Sequence, residues 1–120
     1  MDEGATVTAT RCDFMENSRS GVACHANTKV RLNDSTLHHN SWDGLLANER
    51  TVVDLHGTKT DIHSNKQDGI YASDNAKVNI HLPSQHNTSH DNVEDDRNQH
   101  NGGSIANINT DGTFTHVHVE

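Results

Sequence analysis

The sequence predicts an all-β fold in which short parallel strands stack as a solenoid, and two observations lead to this prediction. Apolar residues alternate with polar ones in short runs, such as Val53/Leu55 and Val78/Ile80, and turn-forming Asn, Asp and Gly separate the runs. Alternation with period two is the pattern of a β-strand, and each run is too short for a helix. The runs also return about every 23 to 25 residues, and a repeat of this length indicates a solenoid.

The first strand of each coil carries two aliphatic residues separated by one outward-facing residue. Because such strands lie directly above one another in a solenoid, we expect Val53, Val78 and Val117 to form one column. The five copies are Val7-x-Ala9, Val30-x-Leu32, Val53-x-Leu55, Val78-x-Ile80 and Val117-x-Val119.

The second strand of each coil is followed by an asparagine at a constant distance. Phe14, Leu37 and Ile62 each precede an Asn by three residues, at Asn17, Asn40 and Asn65, and the fourth coil keeps Asn92. Asn tolerates the left-handed backbone that a sharp turn needs, and stacked amides about 4.8 Å apart can hydrogen-bond along a column. The alternative is that Asn merely marks loops. The constant register with apolar neighbours favours an asparagine ladder.

A glycine opens the third strand of each coil, at Gly21, Gly44 and Gly69, and we interpret Gly103–Ala106 as a degenerate fourth copy. The polar stretch 83–102 then lengthens the fourth coil, and we interpret it as one long excursion loop. Insertions in solenoids occur at such loops, which either bind a ligand or stay solvated.

Composition limits the classes of protein that fit. Only 30% of the 120 residues are apolar and 3% are aromatic, which is typical of disorder unless the core is as thin as a solenoid coil. The net charge of −8 argues against a nucleic-acid partner, and no apolar segment suits a membrane. Cys12 and Cys24 fit no zinc or redox motif, so we expect two unlinked thiols. We interpret 1–120 as a single domain, and its strand-like ends also fit a piece of a longer solenoid.

The sequence motif N-x-x-D-G-I-Y-A, from Asn65 to Ala72, resembles the repeats of right-handed parallel β-helices. These are the repeats of the pectate-lyase-like superfamily and of related carbohydrate-binding and sugar-hydrolase domains. The resemblance covers roughly residues 7–119. The resemblance implies a right-handed parallel β-helix of about four coils, with three short strands in each coil. Family members include polysaccharide lyases, hydrolases and epimerases as well as proteins without known catalysis, so the fold alone does not decide the function.

In that family the substrate groove follows the first strand, so the outward side chains of this strand are the candidate binding residues. Their charged and amide groups can hydrogen-bond sugar hydroxyls, and Arg and Lys can pair with uronate carboxylates. The candidates are Arg31, Asp54, His56, Lys77, Asn79, His81 and His118.

Catalysis needs more than this face offers. Hydrolases of this fold use neighbouring carboxylates, and calcium sites need several. Asp54 has Asn79 above it and Arg31 below it, so a paired carboxylate is missing. We therefore expect a non-catalytic binding or scaffold module, with carbohydrate as its ligand and no cofactor. The alternative is a polysaccharide-modifying enzyme, or a fragment of one, of the lyase, hydrolase or epimerase type.

Eleven histidines are unusual for a chain of this length. His38, His63 and His90 share one outward column of the second strand, whereas His56 and His81 stack on the first-strand face. With Glu120, His56 and His81 are weak candidates for a transition-metal site. A linear column suits tetrahedral coordination badly, however, so we predict no metal site. The strand edges at the ends of the solenoid also favour self-association.

Overall fold

The computed structural model describes residues 5–82 and 88–108, and these residues form a parallel β-solenoid of thirteen short strands with no helix among them. This confirms the all-β fold predicted from period-two alternation. The strands are β1 Thr6–Thr10, β2 Asp13–Met15, β3 Val22–Cys24, β4 Lys29–Asn33, β5 Thr36–His38, β6 Leu45–Ala47, β7 Val52–His56, β8 Asp61–His63, β9 Ile70–Ser73, β10 Lys77–Ile80, β11 Ser89–His90, β12 Arg97–His100 and β13 Ser104–Asn107.

Three parallel sheets form the three sides of the solenoid. Sheet A has the order β1-β4-β7-β10-β13, sheet B the order β2-β5-β8-β11 and sheet C the order β3-β6-β9-β12. Each coil contributes one strand to each sheet, so the described residues complete four coils and begin a fifth. This confirms the prediction of about four coils with three strands each.

The register of sheet A confirms most of the predicted first-strand column. Val7 pairs with Val30, Val30 with Val53, and Val53 with Val78. The prediction of Val117 as the next member of the column is wrong, because Ile105 of β13 pairs with Val78. Val117 and Val119 themselves lie outside the described residues.

The fourth coil explains this error, because its inward positions are polar. Ser89 pairs with Ile62, Arg97 with Ile70, and Gln99 with Ala72. A search for apolar alternation therefore passes over β11 and β12. The interpretation of Gly103–Ala106 as a third strand is wrong, since β13 begins the next coil. The stretch 83–102 likewise contains two strands where we expected one loop; residues 83–87 lie outside the described part.

Aliphatic side chains from all three sheets fill the interior. Side chains such as Leu37, Val53 and Ile62 have no exposed surface, and Leu32 is 1% exposed. Burying one such side chain contributes about 1.5–3 kcal/mol, so a thin coil with few aromatic residues still has a stable core. Phe14, in the first coil, is only partly buried against this cluster.

The predicted asparagine ladder is present at the turn between sheets B and C. Its amides are linked by side-chain hydrogen bonds of 2.9 Å from Asn17 to Asn40, from Asn40 to Asn65 and from Asn65 to Asn92. The Oδ1 atoms of Asn40, Asn65 and Asn92 each also accept the backbone N–H of the ladder asparagine one coil earlier. In addition, Asn65 Nδ2 donates to the carbonyl of Leu37. The ladder therefore satisfies buried backbone groups that the sharp turn leaves without strand partners.

The glycines that follow the ladder are required by close packing. A Cβ atom on Gly44 would lie 2.6 Å from the Cγ2 atom of Ile62 and 2.8 Å from the carbonyl oxygen of Gly69. The equivalent atom on Gly21 would lie 2.8 Å from the carbonyl oxygen of Gly44. The turn thus brings consecutive coils so close that a side chain cannot fit between them.

Both cysteines are free, as expected from their spacing. Burial raises the pKa of the Cys24 thiol to about 11, so this thiol stays protonated and unreactive at neutral pH.

Candidate functional site

An open cleft of about 390 Å³ lies on the outward face of sheet A. Strand alternation places the polar side chains of this face outward, because the valines and leucines between them point into the core. The cleft runs across the first three coils and reaches the end of β10. Its lining residues are Thr6, Val7, Thr8, Lys29, Val30, Arg31, Asp54, His56 and His81.

Asp54 and His81 form the central contact of this cleft. His81 Nε2 lies 2.6 Å from Asp54 Oδ1, and the amide of Asn79 donates to the same oxygen at 3.2 Å. The side chain of His81 is 11% exposed and that of Asp54 is 34% exposed. The carboxylate therefore faces the cleft, while the imidazole that holds it is largely covered.

His56 supports this pair from the coil below. Its ring stacks on His81 with the centroids 4.2 Å apart and the planes 3° from parallel. His56 itself is only 5% exposed. His56, which the sequence named as a candidate, lines the cleft, and its ring packs against that of His81.

The cationic side of the cleft consists of Lys29 and Arg31, which are both exposed on β4. Arg31 is directly beside Asp54 in the sheet register. Lys29, which the sequence also offered as a partner for uronate carboxylates, lines the cleft together with Thr6 and Thr8 of the same outward columns. Their position in the outward columns was readable, but nothing in the sequence indicated that the cleft would extend toward β1.

Of the remaining candidates, one lies on the same face outside the cleft and one lies outside the described residues. Lys77 is exposed on the same face, paired with Val52, but it does not line the cleft. His118 lies outside the described residues, as does Glu120, so the weak metal candidate His56, His81 and Glu120 is untested. Among the described residues, no group of three or more His, Cys, Asp or Glu side chains is arranged to hold a metal ion.

Sheet B carries a second polar surface, a column of stacked imidazoles. His38 and His63 stack at 5.1 Å, and His63 and His90 stack at 5.4 Å. Asp13 and Asp61 flank the column, since Asp13 lies 2.9 Å from His38 Nε2 and Asp61 lies 2.7 Å from His90 Nε2. The sequence predicted the column but not these carboxylate contacts.

The environment changes the pKa along this column. Desolvation, together with the charges of the neighbouring histidines, lowers the pKa of His63, although Asp61 opposes the shift. Hydrogen bonds to Asp91 and Asp61 raise the pKa of His90, although partial burial opposes them. His90 is therefore the member of this pair that favours the protonated state.

Trp42 is exposed on the turn between β5 and β6, away from the cleft residues of sheet A. The guanidinium carbon of Arg19 lies 5.1 Å from the centre of its ring, which is a cation–π distance. This exposed aromatic ring is therefore an alternative surface for a ligand, to be compared with the cleft on sheet A.

Three parallel sheets and an asparagine ladder define the class as a parallel β-helix. The chain matches the family described as "Right handed beta helix region" over residues 1–88, and it belongs to that family. Searches among curated proteins and among solved structures returned no match. The described part of the chain contains no helix of the length and apolar character that would cross a membrane.

Proposed function

We propose that this chain is a non-catalytic binding module that holds a carbohydrate, and an acidic polysaccharide in particular, along the outward face of sheet A. The observation that carries the proposal is the cleft shared by Arg31, Lys29 and Asp54. Its groups come from consecutive strands, so they form a row of hydrogen-bonding positions along the solenoid axis. A polymer of hydroxylated rings is a ligand that can use such a row.

Charge supports the acidic form of the ligand. Lys29 and Arg31 are exposed neighbours on one strand, and the guanidinium group can donate two parallel hydrogen bonds to a carboxylate. The chain as a whole carries a net charge of −8. Such a chain repels polyanions elsewhere on its surface, so this cationic pair would fix where an acidic polymer binds.

The content of the cleft supports binding without catalysis. Among the residues that line it, Asp54 is the only carboxylate, so a second carboxylate for paired acid and base roles is not at hand. Asp54 also accepts two hydrogen bonds, which hold it in place as an acceptor for a hydroxyl group.

A polysaccharide-modifying enzyme is the second candidate, and the contact between His81 and Asp54 favours it. An imidazole oriented by a carboxylate is a common general base, and the adjacent Arg31 could neutralise a uronate carboxylate. However, His81 is 11% exposed, which leaves little surface for a substrate proton to approach. Incubation with acidic polysaccharides should therefore yield bound polymer without new unsaturated or reducing ends. New ends that disappear in His81→Gln would establish the enzyme instead.

The test is calorimetry against acidic and neutral polysaccharides with matched lysine and arginine variants. Arg31→Ala should weaken binding of the acidic polymer by about 10- to 150-fold, since a charge-assisted hydrogen bond is worth about 1.5–3 kcal/mol. Lys66→Ala removes the same charge from an exposed position outside the cleft and should leave the affinity unchanged. If both variants weakened binding equally, the binding would be nonspecific charge attraction and the proposed site would be wrong. Loss of binding in Trp42→Ala alone would move the site to the turn.

A further inference from the structure

The column of imidazoles on sheet B contains a pair of ring nitrogens that the proposed carbohydrate site does not use. His38 Nδ1 lies 2.6 Å from Nδ1 of His39, the next residue in the chain. His39 follows the last residue of β5 and has a left-handed backbone, φ +55°, which turns its ring back toward His38. The two rings meet edge to face, with centroids 4.9 Å apart.

Asp13 determines which nitrogen of His38 carries the proton. Its Oδ1 lies 2.9 Å from His38 Nε2, and an ionised carboxylate can only accept a hydrogen bond. Nε2 therefore carries the hydrogen, and in the neutral ring the lone pair is on Nδ1. In the absence of a metal this lone pair accepts the Nδ1–H of His39, and the exposed His39 ring can carry its proton on Nε2 instead when an ion replaces that hydrogen.

The other two rungs of the column do not repeat this arrangement. The residue after His63 is Ser64, whose hydroxyl lies 2.8 Å from His63 Nδ1. His90 has a carboxylate at both nitrogens, Asp91 at 2.8 Å and Asp61 at 2.7 Å. Both of its nitrogens therefore donate and have no lone pair for a ligand bond. Within the described column, only the rung of His38 offers two imidazole nitrogens at one point.

We propose that His38 Nδ1 and His39 Nδ1 bind a divalent late transition-metal ion such as Cu²⁺ or Ni²⁺, with water in the remaining positions. Imidazole nitrogen is a ligand that these ions favour over carboxylate and carbonyl oxygen. Metal–nitrogen bonds of about 2.1 Å place two cis nitrogens about 3.0 Å apart at a right angle. The two nitrogens lie 2.6 Å apart in their hydrogen bond, so the exposed His39 ring must turn to widen this separation and to aim its Nδ1 lone pair at the ion.

Asp13 is a positioning residue in this site. A carboxylate on the far nitrogen of a metal-binding histidine fixes the tautomer and makes the ring a stronger ligand. Since the described residues place no third His, Cys, Asp or Glu donor at this point, the site binds more weakly than a structural zinc site with four protein ligands.

Calorimetry of the full chain with NiCl₂ and CuCl₂ tests the proposal. His39→Ser introduces the residue that the next coil has at the same position, so the fold should be kept, and circular dichroism verifies this. This variant should lose at least tenfold in affinity for the tightest ion. Asp13→Asn should lose about tenfold, as is typical for such supporting carboxylates. His100→Ser removes an exposed histidine from sheet C and should change nothing.

The paramagnetism of Cu²⁺ locates the bound ion independently of affinity. Nuclear magnetic resonance signals of Asp13, His38 and His39 should broaden first, and Cu²⁺ should bind more tightly than Ni²⁺, and Ni²⁺ more tightly than Co²⁺. Wild-type affinity in His39→Ser would overturn the proposal. So would first broadening at the histidines of sheet A or at those outside the described residues.

Discussion

Asp43 offers the sharpest test of how the solenoid is held together, because the protein buries a carboxylate that destabilises it at neutral pH. Asp43 lies at the turn before β6 and is 7% exposed. Its Oδ1 accepts the backbone N–H of Asp68 at 3.0 Å, and Asp68 Oδ1 in turn accepts the N–H of Asp95 at 3.1 Å. The aspartates thus form a second ladder beside the asparagines.

Burial is the main cause that raises the pKa of Asp43 to about 6 from its ordinary value of 3.8, and the charges of Asp68 and Glu94 add to the shift. The hydrogen bond from Asp68 opposes it. A raised pKa in the folded protein means that the protonated form is favoured there. The stability contribution is therefore complete below about pH 4 and is lost as pH rises through 6.

The perturbation is Asp43→Asn, which keeps an Oδ1 acceptor for the N–H of Asp68 and removes the charge. A shift of about 2 units corresponds to at most about 3 kcal/mol, and relaxation around the charge reduces this. We expect the variant to be more stable than the wild type by about 1–3 kcal/mol at pH 7.5. The difference should vanish near pH 3.5, where both proteins are uncharged at this position.

Urea denaturation followed by circular dichroism, repeated between pH 3.5 and 8, measures this difference. Asp34→Asn is the matched control, because Asp34 Oδ1 also accepts a backbone N–H, from Lys59, at a half-buried position. The control reports what removal of one negative charge does in a chain of net charge −8. A pH-independent difference, or a variant that is less stable at pH 7.5, would refute the reasoning.

Four further outcomes follow from the packing and the edges of the solenoid. Asn65→Ala should lower the free energy of unfolding, measured in urea, by about 2–4 kcal/mol because it leaves buried backbone groups unsatisfied. Asn17→Ala, at the exposed end of the ladder, should lower it by less than about 1 kcal/mol, and equal losses would contradict the ladder. Gly44→Ala should cost about 1–3 kcal/mol, since its Cβ would meet Ile62 and a backbone oxygen, and an unchanged melting temperature would contradict the close packing of the coils. Leu55→Ala should cost about 2–5 kcal/mol by the same assay, and a smaller loss would show that the core collapses around the cavity. We also expect self-association through the edges of the solenoid, where β1 and β13 are the outermost strands that the structure describes in sheet A. Light scattering that reports a monomer at high concentration would contradict this expectation.

The sequence predicted the solenoid where local and global signals agreed. In the first three coils, an apolar residue, an Asn and a Gly recur at fixed distances, and each has a physical role in the stack. In the fourth coil, Arg97 and Gln99 occupy inward positions, so the apolar signal is absent even though the backbone continues the same path. Backbone hydrogen bonds keep these strands in register, and the pattern of side chains does not reveal them.

The candidate site was predictable as a face but not as a cleft. Alternation placed Arg31, Asp54 and Asn79 in one outward column, and the structure pairs them as expected. The bond between Asp54 and His81 is diagonal, joining residues 27 apart in the chain, so column alignment alone did not reveal it. The contact between His38 and His39 depends on the left-handed backbone of His39, which the sequence does not specify for histidine.

Chemical-shift mapping with short oligomers of an acidic polysaccharide tests most directly whether the outward face of sheet A is the binding surface. The account predicts that the backbone amides of Thr8, Arg31 and Asp54 shift together and with one affinity, while those of β5 and β6 stay in place. Shifts centred on Trp42, or the absence of any shift at saturating oligomer, would contradict it.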